Sequence, residues 1–217
     1  MRITIDEREQ RIKLPVESSL GDILDHLWSE RIPDDRVITQ IRVNGEELLE
    51  DENGIYPDLP GDEITSLDVQ TGLSQEMARR GLSDAKKYLE RLNPGIEQTA
   101  ELFRVGEDAK AHDHYGLCMD GINWFIQIVE GVRQVMGLDY GSIFFNKVSV
   151  RSYMENLEHN IREMWNAQQE EDWIMLSDLL EYELLPMMEG WKEVLPLIEE
   201  AAENLGTGTK GAKTPRQ

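Results

Sequence analysis

The spacing of apolar residues changes near Leu73, and this change divides the chain. Before it, apolar and polar residues alternate in short runs separated by turn-forming residues, a pattern typical of half-buried strands. After it, apolar residues recur every three or four positions for about 130 residues, as on the buried stripe of a helix. The pattern predicts an α+β protein with a strand-rich domain at residues 1–72, a helical domain at residues 73–205 and a flexible tail at residues 206–217.

Two short alternating runs open the first domain, Arg2–Ile5 and Arg11–Leu14, and they predict a hairpin. Ser18 or Ser19 then offers an N-cap for a helix, with Asp22 in its first turn. The apolar residues that follow share one helical face: Leu20, Ile23, Leu24, Leu27 and Trp28. We expect the helix to end before the proline and the two aspartates that come next.

Strands and turns make up the rest of this domain. A strand is predicted at Val37–Val43, with one face formed by alternate residues: Val37, Thr39, Ile41 and Val43. Asn44-Gly45 is the strongest short hairpin signal in the chain, because both residue types tolerate positive φ, and Glu46–Leu49 would be the return strand. A second turn at Gly61-Asp62 precedes a last strand that carries Ile64, Leu67 and Val69.

The predicted order of strand, strand, helix, strand, short strand and strand resembles the β-grasp fold of ubiquitin and the sulfur-carrier proteins. The segments Val43-Asn44-Gly45-Glu46 and Pro60-Gly61-Asp62-Glu63-Ile64 are similar to the sulfur-carrier pattern in particular. The resemblance implies a chain end at a free Gly-Gly carboxylate, the group that is activated. Here Gly72 is followed by Leu73 and the chain continues. We therefore expect an interaction or packing module rather than a carrier.

Four apolar stripes in the second domain predict an antiparallel four-helix bundle. The helices are expected at about residues 83–103 and 107–136, from an N-cap at Ser149, and from near Asp172. Leu117 is assigned to the buried stripe of the second helix, and Met187 to that of the fourth. The apolar link at residues 137–149 is expected to pack across one end of the bundle.

Three prolines interrupt these helical patterns: Pro94, Pro186 and Pro196. Each removes a backbone donor and crowds the carbonyl four residues earlier. A kink or a short break is therefore expected near each of them.

The segment Leu176–Lys192, with Tyr153–Asp172 before it, resembles the flagellin export chaperones, which are small antiparallel helical bundles. In that family the third helix ends in a short acidic turn, and the fourth carries a leucine stripe that closes on a tryptophan, here Trp191. The resemblance covers about 50 residues. It implies a helix-binding bundle without enzymatic activity, and a secreted helical segment such as that of flagellin as partner.

The charge of the chain argues against two classes of partner. The net charge is -21; residues 1–70 contribute -11, residues 71–205 contribute -13 and the tail contributes +3. Both predicted domains would repel a phosphate backbone or an anionic membrane, so neither nucleic acid nor membrane is an expected partner. No apolar run is long enough to span a bilayer, Met1–Gln10 has no apolar signal-peptide region, and Cys118 is the only cysteine. We expect a cytoplasmic protein.

Chemistry-bearing motifs are scarce. His112, Asp113, His114 and Cys118 form the one tempting ligand cluster, in which His114 and Cys118 lie one helical turn apart. No second pair completes a zinc site, no Glu-x-x-His pair indicates a di-iron bundle, and no nucleotide-binding or hydrolase motif occurs. We expect no cofactor and no enzymatic activity, with a metal-dependent bundle enzyme through His114 and Cys118 as an alternative.

Tryptophan and methionine are frequent in the helical domain, and such surfaces can pack around varied apolar partners. Trp124 and Trp173 fall off the predicted buried stripes, and with Met175 and Met188 they are the candidate partner-binding residues. The sequence thus predicts a protein-binding module that holds an amphipathic segment, such as a secretion or flagellar chaperone or adaptor. A self-associating structural module, or homo-oligomer, is the remaining alternative.

Overall fold

The structure is a computed structural model, and it describes residues 1–12, 18–49, 59–106 and 108–208. An N-terminal five-stranded sheet is followed by helices, which confirms the predicted α+β class. The chain divides into two compact units, a head at Met1–Met77 and a helical unit from Ala78 onward. No helix within the described ranges is both long enough and apolar enough to cross a membrane.

The head is a mixed sheet with one helix against it. Its strands are β1 (Arg2–Ile5), β2 (Arg8–Gln10), β3 (Arg36–Val43), β4 (Glu46–Glu47) and β5 (Ser66–Leu73). Their order across the sheet is β2-β1-β5-β3-β4, with β1 parallel to β5 and the other pairs antiparallel. Helix α1 (Leu20–Glu30) shares one apolar core with these strands, and a short 3-10 turn at Gly61–Glu63 precedes β5.

The first hairpin is tighter than the sequence predicts. Asp6 and Glu7 both adopt positive φ, 49° and 67°, and this two-residue turn reverses the chain directly after β1. The return strand therefore occupies Arg8–Gln10 rather than Arg11–Leu14, and Lys13 and Leu14 lie outside the described residues. An Asp-Glu pair is not a typical turn of this kind, which explains why the prediction was wrong.

Helix α1 begins where its residues predict. The Ser19 amide donates to Asp22 Oδ2 over 2.9 Å, and the Asp22 amide donates to Ser19 Oγ over 3.4 Å, which together form a capping box. Leu20, Ile23 and Leu27 are buried. Trp28, which the sequence placed on the same face, is 50% exposed.

A register shift in β3 changes which residues face the core. The pairing of β3 with β5 slips between Ile38 and Gln40, so one residue of β3 is left over. Ile38 therefore packs against the core with Ile41 and Val43, whereas Thr39 is exposed. The prediction that Val37 and Thr39 share the face of Ile41 was wrong, because strict alternation does not survive a bulge.

Long helices form the second unit. They are α2 (Ser74–Arg104), α3 (Asp108–Met136), α4 (Val150–Gln169), α5 (Trp173–Asp178) and α6 (Leu185–Gly208), with a π-helical segment at Leu179–Leu184 between the last two. Helix α2 begins nine residues before the predicted start, at Ser74, directly after β5. Helix α6 runs three residues into the predicted tail, whose remainder lies outside the described residues.

Helix α2 packs against α5 and α6, and two hydrogen bonds show the relative direction of these helices. Ser177 Oγ donates to the Ala100 carbonyl oxygen over 2.8 Å, and Asn93 Nδ2 donates to Glu189 Oε1 over 2.5 Å. Residue numbers rise on one side of this interface as they fall on the other, so α2 is antiparallel to α5 and α6. One apolar core runs through the unit and includes residues from every helix.

The link between α3 and α4 folds onto this core, as its apolar residues predict. It contains a two-stranded hairpin, β6 (Phe144–Phe145) and β7 (Val148–Ser149). Tyr140 is buried, and its hydroxyl donates to the Val129 carbonyl oxygen over 2.6 Å. Burial raises the pKa of this phenol well above its ordinary value, so it remains a donor. Ser149 caps α4 as expected.

The prolines do not break their helices: Pro94 lies inside α2 and Pro196 inside α6. Pro186 differs because the π-helical segment comes directly before it, with the Leu185 amide donating to the Leu180 carbonyl oxygen five residues back. The wider turn also shifts the buried stripe, so that Met188 follows Leu184 in the core. The prediction placed Met187 there because it assumed regular helical spacing.

Candidate binding groove on the helical unit

A shallow groove of about 570 Å³ lies between α2 and α3. Eight residues line it: Asp84, Lys87, Tyr88, Arg91, Leu117, Asp120, Gly121 and Trp124. The rings of Tyr88 and Trp124 meet at the centre, with centroids 5.0 Å apart and planes inclined at 60°. We call this feature the α2–α3 groove. It contains Trp124, one of the four residues that the sequence proposed for partner binding.

The Tyr88 ring forms the floor of the groove, and Gly121 of α3 leaves the space that this ring occupies. Tyr88 lies across α3 at Gly121, and a Cβ atom built on that glycine would overlap the tyrosine hydroxyl and the end of its ring. Any side chain at this position would therefore push Tyr88 outward and fill the groove. Neither residue stands out in the sequence, because Tyr88 fits the apolar spacing of a buried stripe and a glycine inside a helix carries no signal of what crosses it.

Helix α3 carries two apolar stripes side by side. The first is buried: Cys118, Ile122, Phe125, Val129 and Val132. The second, which we call the outer stripe, lies one residue earlier at each step: Leu117, Gly121, Trp124, Ile128, Gly131 and Val135. Three of its members are exposed: Leu117 by 69%, Trp124 by 36% and Val135 by 39%.

The outer stripe corrects the assignment of Leu117 to the core. Leu117 and Cys118 are neighbours, so they point about 100° apart around the helix, and only one of them can face the core. The structure buries Cys118 and exposes Leu117 at the mouth of the α2–α3 groove. The steps of four and three residues along the outer stripe were visible in the sequence and would have identified it.

The side of α2 that borders the groove carries more cations than carboxylates. Arg80, Asp84, Lys87 and Arg91 are exposed and recur every three or four residues, so they lie along one side of the helix. Lys87 pairs with Asp84 over 3.2 Å, and the Arg91 guanidinium lies 5.4 Å from the centre of the Tyr88 ring. Asp120 stands on the opposite wall, on α3.

The other three predicted partner residues lie elsewhere. Trp173 is half-buried and stacks on Phe103 at 5.6 Å between ring centroids, while the His112 ring meets its face edge-on at 4.7 Å. His112 and Trp124 are twelve positions apart on α3, or roughly 18 Å along its axis, so Trp173 belongs to a different surface. Met175 is exposed beside Trp173 in the sequence, and Met188 is fully buried, which removes it from any accessible surface.

The structure places the two weak metal candidates in a setting that disfavours ligation. His114 is partly buried, and Cys118 is buried with its Sγ atom 3.4 Å from Thr99 Oγ1. Burial raises the pKa of the Cys118 thiol, which disfavours the thiolate that a metal requires. Across residues 1–12, 18–49, 59–106 and 108–208, the structure contains no group of three or more His, Cys, Asp or Glu side chains able to hold a metal ion.

A network of charges ties the end of α2 to the π-helical segment. Arg104 pairs with Glu181 and reaches Glu101 at 3.5 Å and Asp178 at 3.9 Å. The hydrogen bond from Arg104 lowers the pKa of the Glu181 carboxyl. All four side chains belong to packed helices and are partly exposed, so this cluster is a structural contact of modest strength.

Comparison with protein families divides the chain in a similar way. Residues 81–194 match the family described as "Domain of unknown function (DUF8042)", and residues 1–72 match the family described as "TP0873 N-terminal domain". The first match spans more than half of the chain, so the protein belongs to the DUF8042 family. The α2–α3 groove lies within that match. Neither the curated proteins nor the solved structures give a match.

Proposed function

We propose that this chain is a non-enzymatic, cytoplasmic protein-binding module whose helical unit holds an amphipathic helix of a partner in the α2–α3 groove. The observation that carries the proposal is the outer stripe of α3, with Leu117 and Trp124 exposed at spacing that matches a helical partner. A helix in a folded domain commonly has one apolar stripe, which faces its core. Helix α3 has a second one.

The physical basis of binding is the burial of this second stripe. Fully burying a leucine side chain contributes about 1.5–3 kcal/mol, and aromatic residues contribute at least as much. Leu117 and Trp124 are seven residues apart, two turns of the same helix, and Tyr88 lies beside Trp124. An incoming helix with apolar residues one and two turns apart can cover all three side chains, which is the helix-in-groove mode of recognition.

The proposal includes a finer description of both units. We propose that the head is a β-grasp domain that serves interaction or packing, supported by its strand order and by the single helix on its sheet. Gly72 lies inside β5, and the chain continues into α2, so the head offers no free glycine carboxylate at that point. We propose that the second unit is an antiparallel four-helix bundle, in which α5, the π-helical segment and α6 form the last helix.

A more specific form of the proposal is a secretion or flagellar export chaperone or adaptor. It is supported by the sequence pattern of the last two helices and by the acidity of the chain, which suits a protein that keeps an apolar segment dispersed. The partner would be a helical segment of a secreted protein. Neither nucleic acid nor membrane is part of the proposal.

Site-specific photocrosslinking in the native host tests the groove directly. A photoreactive phenylalanine analogue replaces Leu117, and in a second strain it replaces Tyr182, which is 61% exposed on the π-helical segment and lies outside the groove. We expect a discrete adduct from position 117, and peptide mapping should place the crosslink in an amphipathic helix of the captured protein.

The Tyr182 strain controls for nonspecific crosslinking, because the side chains of Leu117 and Tyr182 are similarly exposed. Equal adduct patterns at both positions, or no adduct at position 117, would contradict binding at the groove. An adduct between two copies of this chain would instead identify self-association. Calorimetry with purified flagellin then tests the flagellar form of the proposal, which fails if no heat of binding is measured.

A further inference from the structure

We infer that the partner helix carries acidic residues along the edge that faces α2, where Lys87 and Arg91 line the wall of the groove and Arg80 lies further along the same side of the helix. This inference rests on the proposed function and names the chemistry of the partner. It comes from a contrast between local and total charge. The chain carries -21, yet the side of α2 that borders the groove carries three cations, Arg80, Lys87 and Arg91, and one carboxylate, Asp84, a local balance of +2.

Arg91 is the residue best placed to recognise a carboxylate. Its guanidinium lies over the Tyr88 ring, and within the part of the chain that the structure describes it makes no ion pair. A guanidinium held near a ring by a cation–π contact keeps N–H groups that can donate, and a carboxylate can accept two of them at once. The apolar contact at Tyr88 and the ionic contact at Arg91 are therefore adjacent.

Two more cations, Lys87 and Arg80, lie on the same side of α2 as Arg91. Lys87 already pairs with Asp84, but both side chains are largely exposed, so this ion pair is weak and open to exchange with a partner carboxylate. Arg80 lies on the same side of α2, seven residues before Lys87. Arg80 and Lys87 are two turns apart and Lys87 and Arg91 one turn apart, so acidic residues at the same spacings along the partner helix would each meet a cation.

The overall negative charge does not cancel this attraction at contact distance. At physiological ionic strength the Debye length is about 8 Å, so carboxylates outside the groove are largely screened from a ligand in it. Two carboxylates line the groove itself: Asp84, which is paired with Lys87, and Asp120, which stands on the α3 wall away from the edge that faces α2. Arg91 and Lys87 lie in the groove lining and act within that distance. The remaining charge slows the approach of an acidic partner, and the local cations stabilise it once it is bound.

Two matched peptides test the inference on the full chain. Each is a labelled helix of about 18 residues with leucines one and two turns apart, long enough to follow the outer stripe. One has glutamate along an edge of the apolar face, and the other has lysine at the same positions. Fluorescence anisotropy at low and physiological salt measures binding to the native protein, to Arg91→Glu and to Lys86→Glu. Lys86 is exposed and points to the other side of α2, so its reversal changes the net charge equally.

We expect the glutamate peptide to bind more tightly than the lysine peptide, and Arg91→Glu to weaken it roughly five- to ten-fold while Lys86→Glu changes it less than two-fold. Equal binding of both peptides would overturn the charge inference and leave the groove proposal standing. Binding of neither peptide would overturn both. Sedimentation that shows a dimer lost in Leu117→Asp would mean that a second copy occupies the groove, and this too would overturn the inference.

Discussion

The side chain of Asn44 joins two distant turns of the head. Its Oδ1 atom accepts from the Thr65 amide and hydroxyl, both at 2.8 Å, and from the Ser66 amide at 3.1 Å, while Nδ2 donates to the Glu63 carbonyl oxygen at 3.0 Å. Asn44 also adopts φ 55°, which asparagine tolerates better than most residues. One residue thus shapes the β3–β4 turn and fixes the entry to β5.

Replacing Asn44 by alanine should destabilise the head by about 2 kcal/mol, because four hydrogen bonds are lost and each contributes a net of about 0.5–1.5 kcal/mol, with exposed bonds at the lower end of that range. Asn44→Asp keeps the acceptor oxygen and should cost less. Native-state hydrogen exchange of the Thr65 and Ser66 amides measures the difference. Unchanged exchange in Asn44→Ala would show that the side-chain bonds contribute nothing.

Asp6 links the first turn of the head to the end of β5. Its carboxylate accepts from the Thr71 amide and hydroxyl, each at 2.8 Å, and from Arg36 at 3.3 Å. Burial raises its pKa, but the hydrogen bonds from Thr71 and the charge of Arg36 outweigh that effect and hold the pKa below its ordinary value. A lowered pKa in the folded state means that this stabilisation is complete above the unfolded-state pKa and is lost as the pH falls through the folded-state value.

The head should therefore lose stability between pH 5 and pH 2 more steeply in the native protein than in Asp6→Asn. The measurement is the urea concentration at which the β5 amides lose half of their protection from hydrogen exchange, determined at several pH values in this range. Asp25→Asn removes an exposed carboxylate of α1 and serves as the control. Parallel curves for the native protein and Asp6→Asn would contradict the assignment.

Residue types predicted the turn at Asn44-Gly45 and an N-cap at Ser18 or Ser19, since both depend on neighbours a few positions away. They did not predict the bonds from Asn44 to Glu63 and Thr65, which join residues 19 and 21 positions apart. The first hairpin was predicted, but the position of its turn at Asp6-Glu7 was missed for a related reason. The Thr71 bonds that stabilise the unusual turn come from the far end of the head.

At the scale of elements, the π-helical segment follows from the spacing of buried residues. Leu176, Leu180, Leu184 and Met188 are each four positions apart and all buried. Four residues of an α-helix turn about 40° beyond a full circle, so three such steps would carry the stripe about 120° around the helix. The wider π-helical turn at Leu179–Leu184 compensates for this rotation, so that all four residues stay on one buried face. Reading these steps as a π segment would have placed Met188, rather than Met187, in the core.

Pro186→Ala should stabilise the protein by less than about 1 kcal/mol, although proline costs about 3 kcal/mol relative to alanine inside a regular helix. The wider turn before Pro186 already removes the demand for its missing amide. Pro94→Ala, an exposed proline inside regular α2, should gain more. Thermal unfolding of both variants measures the gains, and equal gains would show that Pro186 is strained despite the π turn.

Across the whole molecule, the sequence predicted the change from strands to helices because each type of element has its own apolar period. It predicted Trp124 as a surface residue for the same reason. The groove itself could not be predicted, because it depends on Tyr88 crossing α3 at Gly121 and on which of two neighbouring stripes faces the core. These are facts about packing between helices, and periodicity within one helix does not contain them.

Gly121 has a further consequence for the behaviour of α3. A glycine inside a helix lowers its intrinsic stability by about 1 kcal/mol relative to alanine, and Gly131 repeats the effect on the same stripe. Helix α3 therefore depends on packing against its neighbours, Tyr88 among them, to remain helical near Gly121. Local unfolding of α3 near Gly121 also exposes the groove floor. A partner helix bound in the groove would therefore suppress local unfolding of the helix to which it binds.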